Sequence, residues 1–261
     1  VNADLTAGGE GRINLNSGED ILISEATVAT TAASNTDPTV NNRIDLTAGD
    51  DIVIGDAAAT ADTFVTTVNG NITLTSGNSA ALDNADGILI QGSDAADADA
   101  IITAGGVDNG DIAITGLGTS SVNILGGDND GSIAGAFSED DTTITINNGD
   151  LVANAGAGNN AAAGAISGGS QTVNITEGDF IVNGSDTGIL GIAGFAATET
   201  QDITLTDGDM TLSGGDADAA VAIVAAGSTQ NVTLLDGDLT VTGGAGANSL
   251  AGMLLAGDAD Q

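Results

Sequence analysis

No cysteine, histidine, lysine, tryptophan or tyrosine occurs in these 261 residues, and the only basic side chains are Arg12 and Arg43. Each absence removes a class of function. Without cysteine there is no disulfide framework and no thiol redox chemistry. Without histidine or cysteine no Ser-His or Cys-His nucleophile–base pair can form. Two arginines against 37 acidic residues leave a net charge of −35. That balance speaks against nucleic-acid binding, which needs basic side chains on the phosphates, and against an anionic membrane surface. No apolar run approaches the roughly eighteen residues of a spanning helix, so membrane insertion is not expected. Neither an initiator methionine nor a secretion signal opens the chain, which reads as a processed product or a piece of something longer.

Four phenylalanines are the only aromatics, while glycine reaches 40 residues. Aromatics usually supply much of a core's buried area. Here alanine, valine, isoleucine and leucine must do so, and that suits a thin core of small side chains. A disordered acidic tail would also be aromatic-poor. The apolar residues, however, alternate in short regular runs, which such tails lack.

Those runs repeat. "ITINNGDLVA" begins at Ile144, "VNITEGDFIV" at Val173, "ITLTDGDMTL" at Ile203 and "VTLLDGDLTV" at Val232. Each block alternates apolar and polar positions, turns at Gly-Asp, and alternates again: two short strands around a tight turn. An Ala/Gly-rich third segment follows at 161–166, 188–195, 219–227 and 249–257, and then a polar step ending at Gln171, Gln201, Gln230 and Gln261. Three apolar segments and three turns in about thirty residues predict one coil of a three-sided tube. The first half is related but less regular. "INLNSGEDILI" (13–23) and "IDLTAGDDIVI" (44–54) keep the pattern, "ITLTSG" (72–77) continues it, and "DGILI" (86–90) and "GDIAI" (110–114) read as second strands. The aspartate before the second strand is then expected at 20, 51, 86, 111, 150, 179, 209 and 238.

The predicted fold is all-β: a single-stranded parallel β-helix (a three-sided β-solenoid) of about eight coils, each of roughly 30 residues. It forms one continuous solenoid over 1–261, irregular over 1–140 and regular over 141–261. Ile144, Val173, Ile203 and Val232 should stack inside, with Ile146, Ile175, Leu205 and Leu234 as a second inner column.

The blocks "IDLTAGDDIVI" and "ITLTDGDMTL" resemble the repeats of bacterial β-solenoid surface exoproteins, the filamentous-haemagglutinin-like and autotransporter-type adhesins. The resemblance covers most of the chain. It implies a long parallel β-helix outside the cell, acting as the shaft of a surface fibre or adhesin, with a cell-surface or glycan ligand.

Several features could carry function. Glu177, Asp207 and Asp236 stand before the repeated glycine, and Asp179, Asp209 and Asp238 after it. In register they would make two carboxylate ladders, read either as solvated turn residues or as Ca²⁺ ligands, since Ca²⁺ takes six to eight oxygens in flexible geometry. No other cofactor is expected. Outward columns such as Thr143, Thr172, Asp202 and Asn231, beside Thr145, Asn174, Thr204 and Thr233, could bind ice or serve simply as β-forming residues with a hydroxyl ladder. Carboxylate pairs at hydrolase spacing arise by chance in so acidic a chain, and no catalytic constellation stands out, so no enzyme is expected. Sequons at Asn71, Asn174, Asn183 and Asn231 are likewise expected by chance. Both ends read as though coils continue, which points to end-to-end self-association or a longer chain.

Overall fold

The computed structural model describes residues 3–8, 11–31, 42–77, 87–95, 97–106 and 110–256. Its described residues contain no helix. All named strands lie in three parallel sheets of eight, eight and nine strands, each sheet ordered by every third strand of the chain. Each coil therefore contributes one strand to each face, giving eight rungs of a three-sided parallel β-helix. In a regular coil, Gln171–Glu177 lies on the first face, Phe180–Asn183 on the second and Ile192–Ala197 on the third.

Alternation along each strand decides what enters the tube. On the first face Ile144, Val173, Ile203 and Val232 pair in register, as do Ile146, Ile175, Leu205 and Leu234, so both predicted columns are present. On the second face Leu151, Phe180, Met210 and Leu239 make a matching stack. Successive rungs lie about 4.8 Å apart, so each inward side chain meets its own equivalent above and below. The tube is narrow, and Ile, Leu, Val and Ala fill it as one core. Phe180 and Phe195 are fully buried and meet edge to face with ring centroids 4.9 Å apart.

One row of the interior is polar. The glutamines that close each repeat point inward. Gln201 Nε2 donates to Gln171 Oε1 at 2.7 Å, and Gln230 Nε2 to Gln201 Oε1 at 2.8 Å. Each also donates to a carbonyl six residues earlier: Ala165, Phe195 and Val224 respectively. A buried amide is tolerated when its hydrogen bonds are made, and stacking identical glutamines supplies the partners. Gln261, the expected next member, lies outside the described residues.

One expected register is corrected. Asp111 does not precede a second-face strand. Ile112 pairs with Ile72 on one side and Thr142 on the other, which puts Ile112–Gly116 on the first face. The second-face strand of that coil is Ser121–Leu125, paired with Gly87–Gln91 and Leu151–Asn154. This corner has no Gly-Asp, and serines take over its bonding: Ser120 Oγ donates to the Gly77 carbonyl, and Ser121 Oγ accepts from Asp150 N–H at 3.0 Å. "GD" at 110–111 imitates the motif at a different corner. Asp86 lies outside the described residues. The position stacked on Asp51 is Gly87, whose N–H donates to Asp51 Oδ1 at 2.7 Å.

The repeated glycine has two reasons to be glycine. Gly178, Gly208 and Gly237 have φ of 132°, 141° and 154°, where a side chain is strained. A Cβ on Gly208 would also lie 1.9 Å from the carbonyl oxygen of Gly178 one rung below. Gly208→Ala should therefore lower stability by about 1–3 kcal/mol, read as a lowered denaturation midpoint. Thr143→Ala, exposed on the first face, should change stability by less than about 0.5 kcal/mol.

Candidate functional site

The corners hold most of the charge, and their carboxylates follow one bonding rule. Where the chain leaves one sheet for the next, a backbone N–H no longer faces a carbonyl on the neighbouring rung. At the corner between the first and second faces an aspartate one rung below accepts it. Asp51 N–H donates to Asp20 Oδ1 at 3.3 Å, Asp179 N–H to Asp150 Oδ1 at 2.9 Å, Asp209 N–H to Asp179 Oδ1 at 2.8 Å, and Asp238 N–H to Asp209 Oδ1 at 2.8 Å.

The rule recurs at the other corners. Between the second and third faces Asp94, Asp128, Asp130, Asp186, Asp216 and Asp218 accept N–H groups 29–34 residues later. Between the third and first, Asp111 and Asp141 accept from Asp141 and Ser170. The aspartates are thus side-chain acceptors that complete a backbone ladder.

Magnitudes show why such a charge row holds. Two carboxylates about 5 Å apart in water repel by roughly 0.8 kcal/mol, less with salt. A hydrogen bond to a charged acceptor contributes about 1.5–3 kcal/mol, and the lower end suits these half-exposed corners. Each rung gains more than it loses, so the chain tolerates a row of carboxylates at its corners. The two arginines do not counter it broadly. Arg12 and Arg43 stack in register, and each places Nε 2.7 Å from the same Asp45 Oδ2.

The same bonds move titrations. Asp130 lies below the usual carboxylate range because the Asn159 backbone N–H and side-chain amide both donate to it. Glu25 is lowered by the backbone N–H and then the hydroxyl of Thr60. Asp99 is raised, chiefly by burial; the Ile133 N–H bond opposes the shift, while Asp62 and Asp97 add to it.

Of the six expected Ca²⁺ ligands, Asp179, Asp207, Asp209, Asp236 and Asp238 line one open polar depression at the first corner. Glu177 stands at the end of the first face, in register with Asn148 and Asp207. No three of the six bring carboxylate oxygens within 4.8 Å of one another. Two other trios do: Asp20, Asp50 and Asp51, and Asp111, Asp140 and Asp141. Sequence reading missed both, although each combines an Asp-Asp pair with a single aspartate thirty residues earlier. Both sit within the backbone ladder. Asp111 in particular accepts from Asp141 N–H through Oδ1 and from Asn71 Nδ2 through Oδ2, the latter at 3.0 Å. Such trios could take a hard divalent cation.

The outward threonine columns stand in register as expected. Thr143, Thr172, Asp202 and Asn231 form one, and Thr145, Asn174, Thr204 and Thr233 the other. The faces differ sharply. The first is polar and carries charge, whereas the strands of the second and third carry no charged residue.

Comparison with protein-family models, with curated proteins and with solved structures gives no match for this chain.

The ladder makes a specific prediction. Asp179→Asn keeps an Oδ1 acceptor for Asp209 N–H and should leave stability within about 0.5 kcal/mol. Asp179→Ala removes the acceptor and should cost about 1 kcal/mol. Equal losses in the two variants, read by chemical denaturation, would show that the carboxylate charge rather than the acceptor matters.

Proposed function

We propose that this chain is a structural spacer, a stretch of the shaft of an extracellular surface fibre or adhesin. What carries the reading is the uniform tube itself, three parallel sheets stacked in register along the described rungs. Leu239, Val241 and Met253 are 43%, 44% and 40% exposed, whereas Met210, Leu212 and Val224, their partners one rung below, are fully buried. Leu15, on the first coil, is also only partly buried. A further coil, from a longer chain or from a second copy, would cover such apolar ends and pair their strand edges. Open head-to-tail stacking of this kind gives filaments, and uncovered edges are otherwise an aggregation hazard.

The charge supports the same reading. An outer surface edged by carboxylate rows is strongly hydrated, and its self-repulsion is screened in salty surroundings. The resemblance to surface exoprotein repeats points the same way. Negative-stain electron microscopy of the purified chain at about 0.15 M salt should show rods or filaments that lengthen with concentration. A monodisperse particle of fixed length at every concentration would count against end-to-end assembly.

A second reading, Ca²⁺ binding, is favoured by the two carboxylate trios. If either trio holds Ca²⁺, calorimetry should show a higher melting temperature in CaCl₂ than in NaCl of matched ionic strength, reversed by EDTA and lost in Asp140→Asn with Asp50→Asn. Equal melting in the two salts would leave the trios as parts of the backbone ladder.

A further inference from the structure

The third face contrasts with the polar first face. Along the last five rungs its outward positions are Ile133, Gly135 and Phe137; Ala162, Gly164 and Ile166; Ile192, Gly194 and Ala196; Val221, Ile223 and Ala225; and Leu250, Gly252 and Leu254, all in register. Ile166, Ile192, Leu250 and Leu254 are 48%, 44%, 54% and 52% exposed. In a chain of net charge −35, a contiguous apolar face is not what solubility selects, and such patches mark interaction sites.

The face is also shaped. Gly164 and Gly194 floor a groove along the tube axis. Ala162 and Ile192 wall one side, Phe137 and Ile166 the other, and Ile223 stands at one end. Its cavity is about 130 Å³. That is well below the roughly 300–1,000 Å³ of small-molecule sites, and suits a few side chains projecting from a partner.

Acid lines both margins. Exposed Asp128, Asp130, Asp186, Asp216 and Asp218 precede the third-face strands, and exposed Glu139, Asp141 and Glu199 follow them. Face-to-face contact with a second copy would oppose carboxylate row to carboxylate row. A partner with an apolar stripe flanked by cations meets both features at once. A strand of six residues spans about 20 Å, which leaves room for a helix about 10–12 Å across with basic side chains reaching each margin. The helical pitch of 5.4 Å lies close to the rung spacing of about 4.8 Å, so successive turns can place apolar side chains on successive rungs.

We propose that the third face from Ile133 to Leu254 is a docking surface for a cationic amphipathic helix of a partner protein, its apolar stripe in the glycine-floored groove and its Lys or Arg side chains on the carboxylate margins. This is independent of whether the shaft polymerises.

The test uses the full chain and three synthetic, fluorescently labelled helical peptides about sixteen residues long. One has a leucine stripe flanked by lysines, one has the lysines replaced by glutamates, and one has the leucines replaced by serines. Fluorescence anisotropy should show saturable binding of the leucine–lysine peptide only, weakened at least tenfold between about 50 and 500 mM salt. Ile166→Glu and Ala162→Glu lie on the outer surface and should each weaken binding at least tenfold while the melting temperature holds. Because either variant could perturb the sheet, Asp130→Asn with Asp216→Asn, which keep both backbone acceptors, should also weaken binding. Equal binding of the serine–lysine peptide, or undiminished binding by Ile166→Glu, would overturn the proposal. So would sedimentation showing that the wild-type chain self-associates through this face and that Ile166→Glu abolishes the association.

Discussion

Everything in this molecule depends on the closeness of one coil to the next. With rungs about 4.8 Å apart, the nearest neighbour of almost every residue is its own equivalent one coil away. A residue type must therefore tolerate itself as a neighbour. Isoleucine on isoleucine packs. Glutamine on glutamine bonds head to tail, as from Gln171 to Gln230. Glycine stacks where a Cβ would strike the carbonyl below, as at Gly178 and Gly208. Aspartate on aspartate repels, but each also accepts its neighbour's backbone N–H, and the bond outweighs the repulsion.

That constraint links composition to architecture. A chain with almost no cations would ordinarily have little to pair with its carboxylates. Here the backbone is the partner, so acid is structural at the corners and absent from the strands of the third face. The same separation creates the surface pattern: a polar hydroxyl-bearing first face, an apolar third face and anionic edges.

Much of this was legible beforehand. The Gly-Asp spacing of the last four coils defined the corner, and strict alternation of Ile, Val and Leu defined the inner columns. The reading failed at Asp111, because a Gly-Asp step looks the same at any corner and only strand pairing tells which face it opens. It read the closing glutamines as a polar step, because a polar residue is normally taken outward; burial becomes tolerable only when identical residues stack. The six proposed metal ligands share a region, yet the tighter trios lie elsewhere. Convergence of Asp111 with Asp140 and Asp141 depends on how the chain turns between the third face and the first.

The sequence by itself determined the repeat, the all-β class and the three-sided coil, because these follow from period and alternation. Only the tertiary structure decided that the aspartates serve the backbone of the next rung, that the glutamines run through the interior, and that one outer face is apolar and grooved. These are relations between residues about thirty positions apart, and they exist only once one coil is laid on another in register.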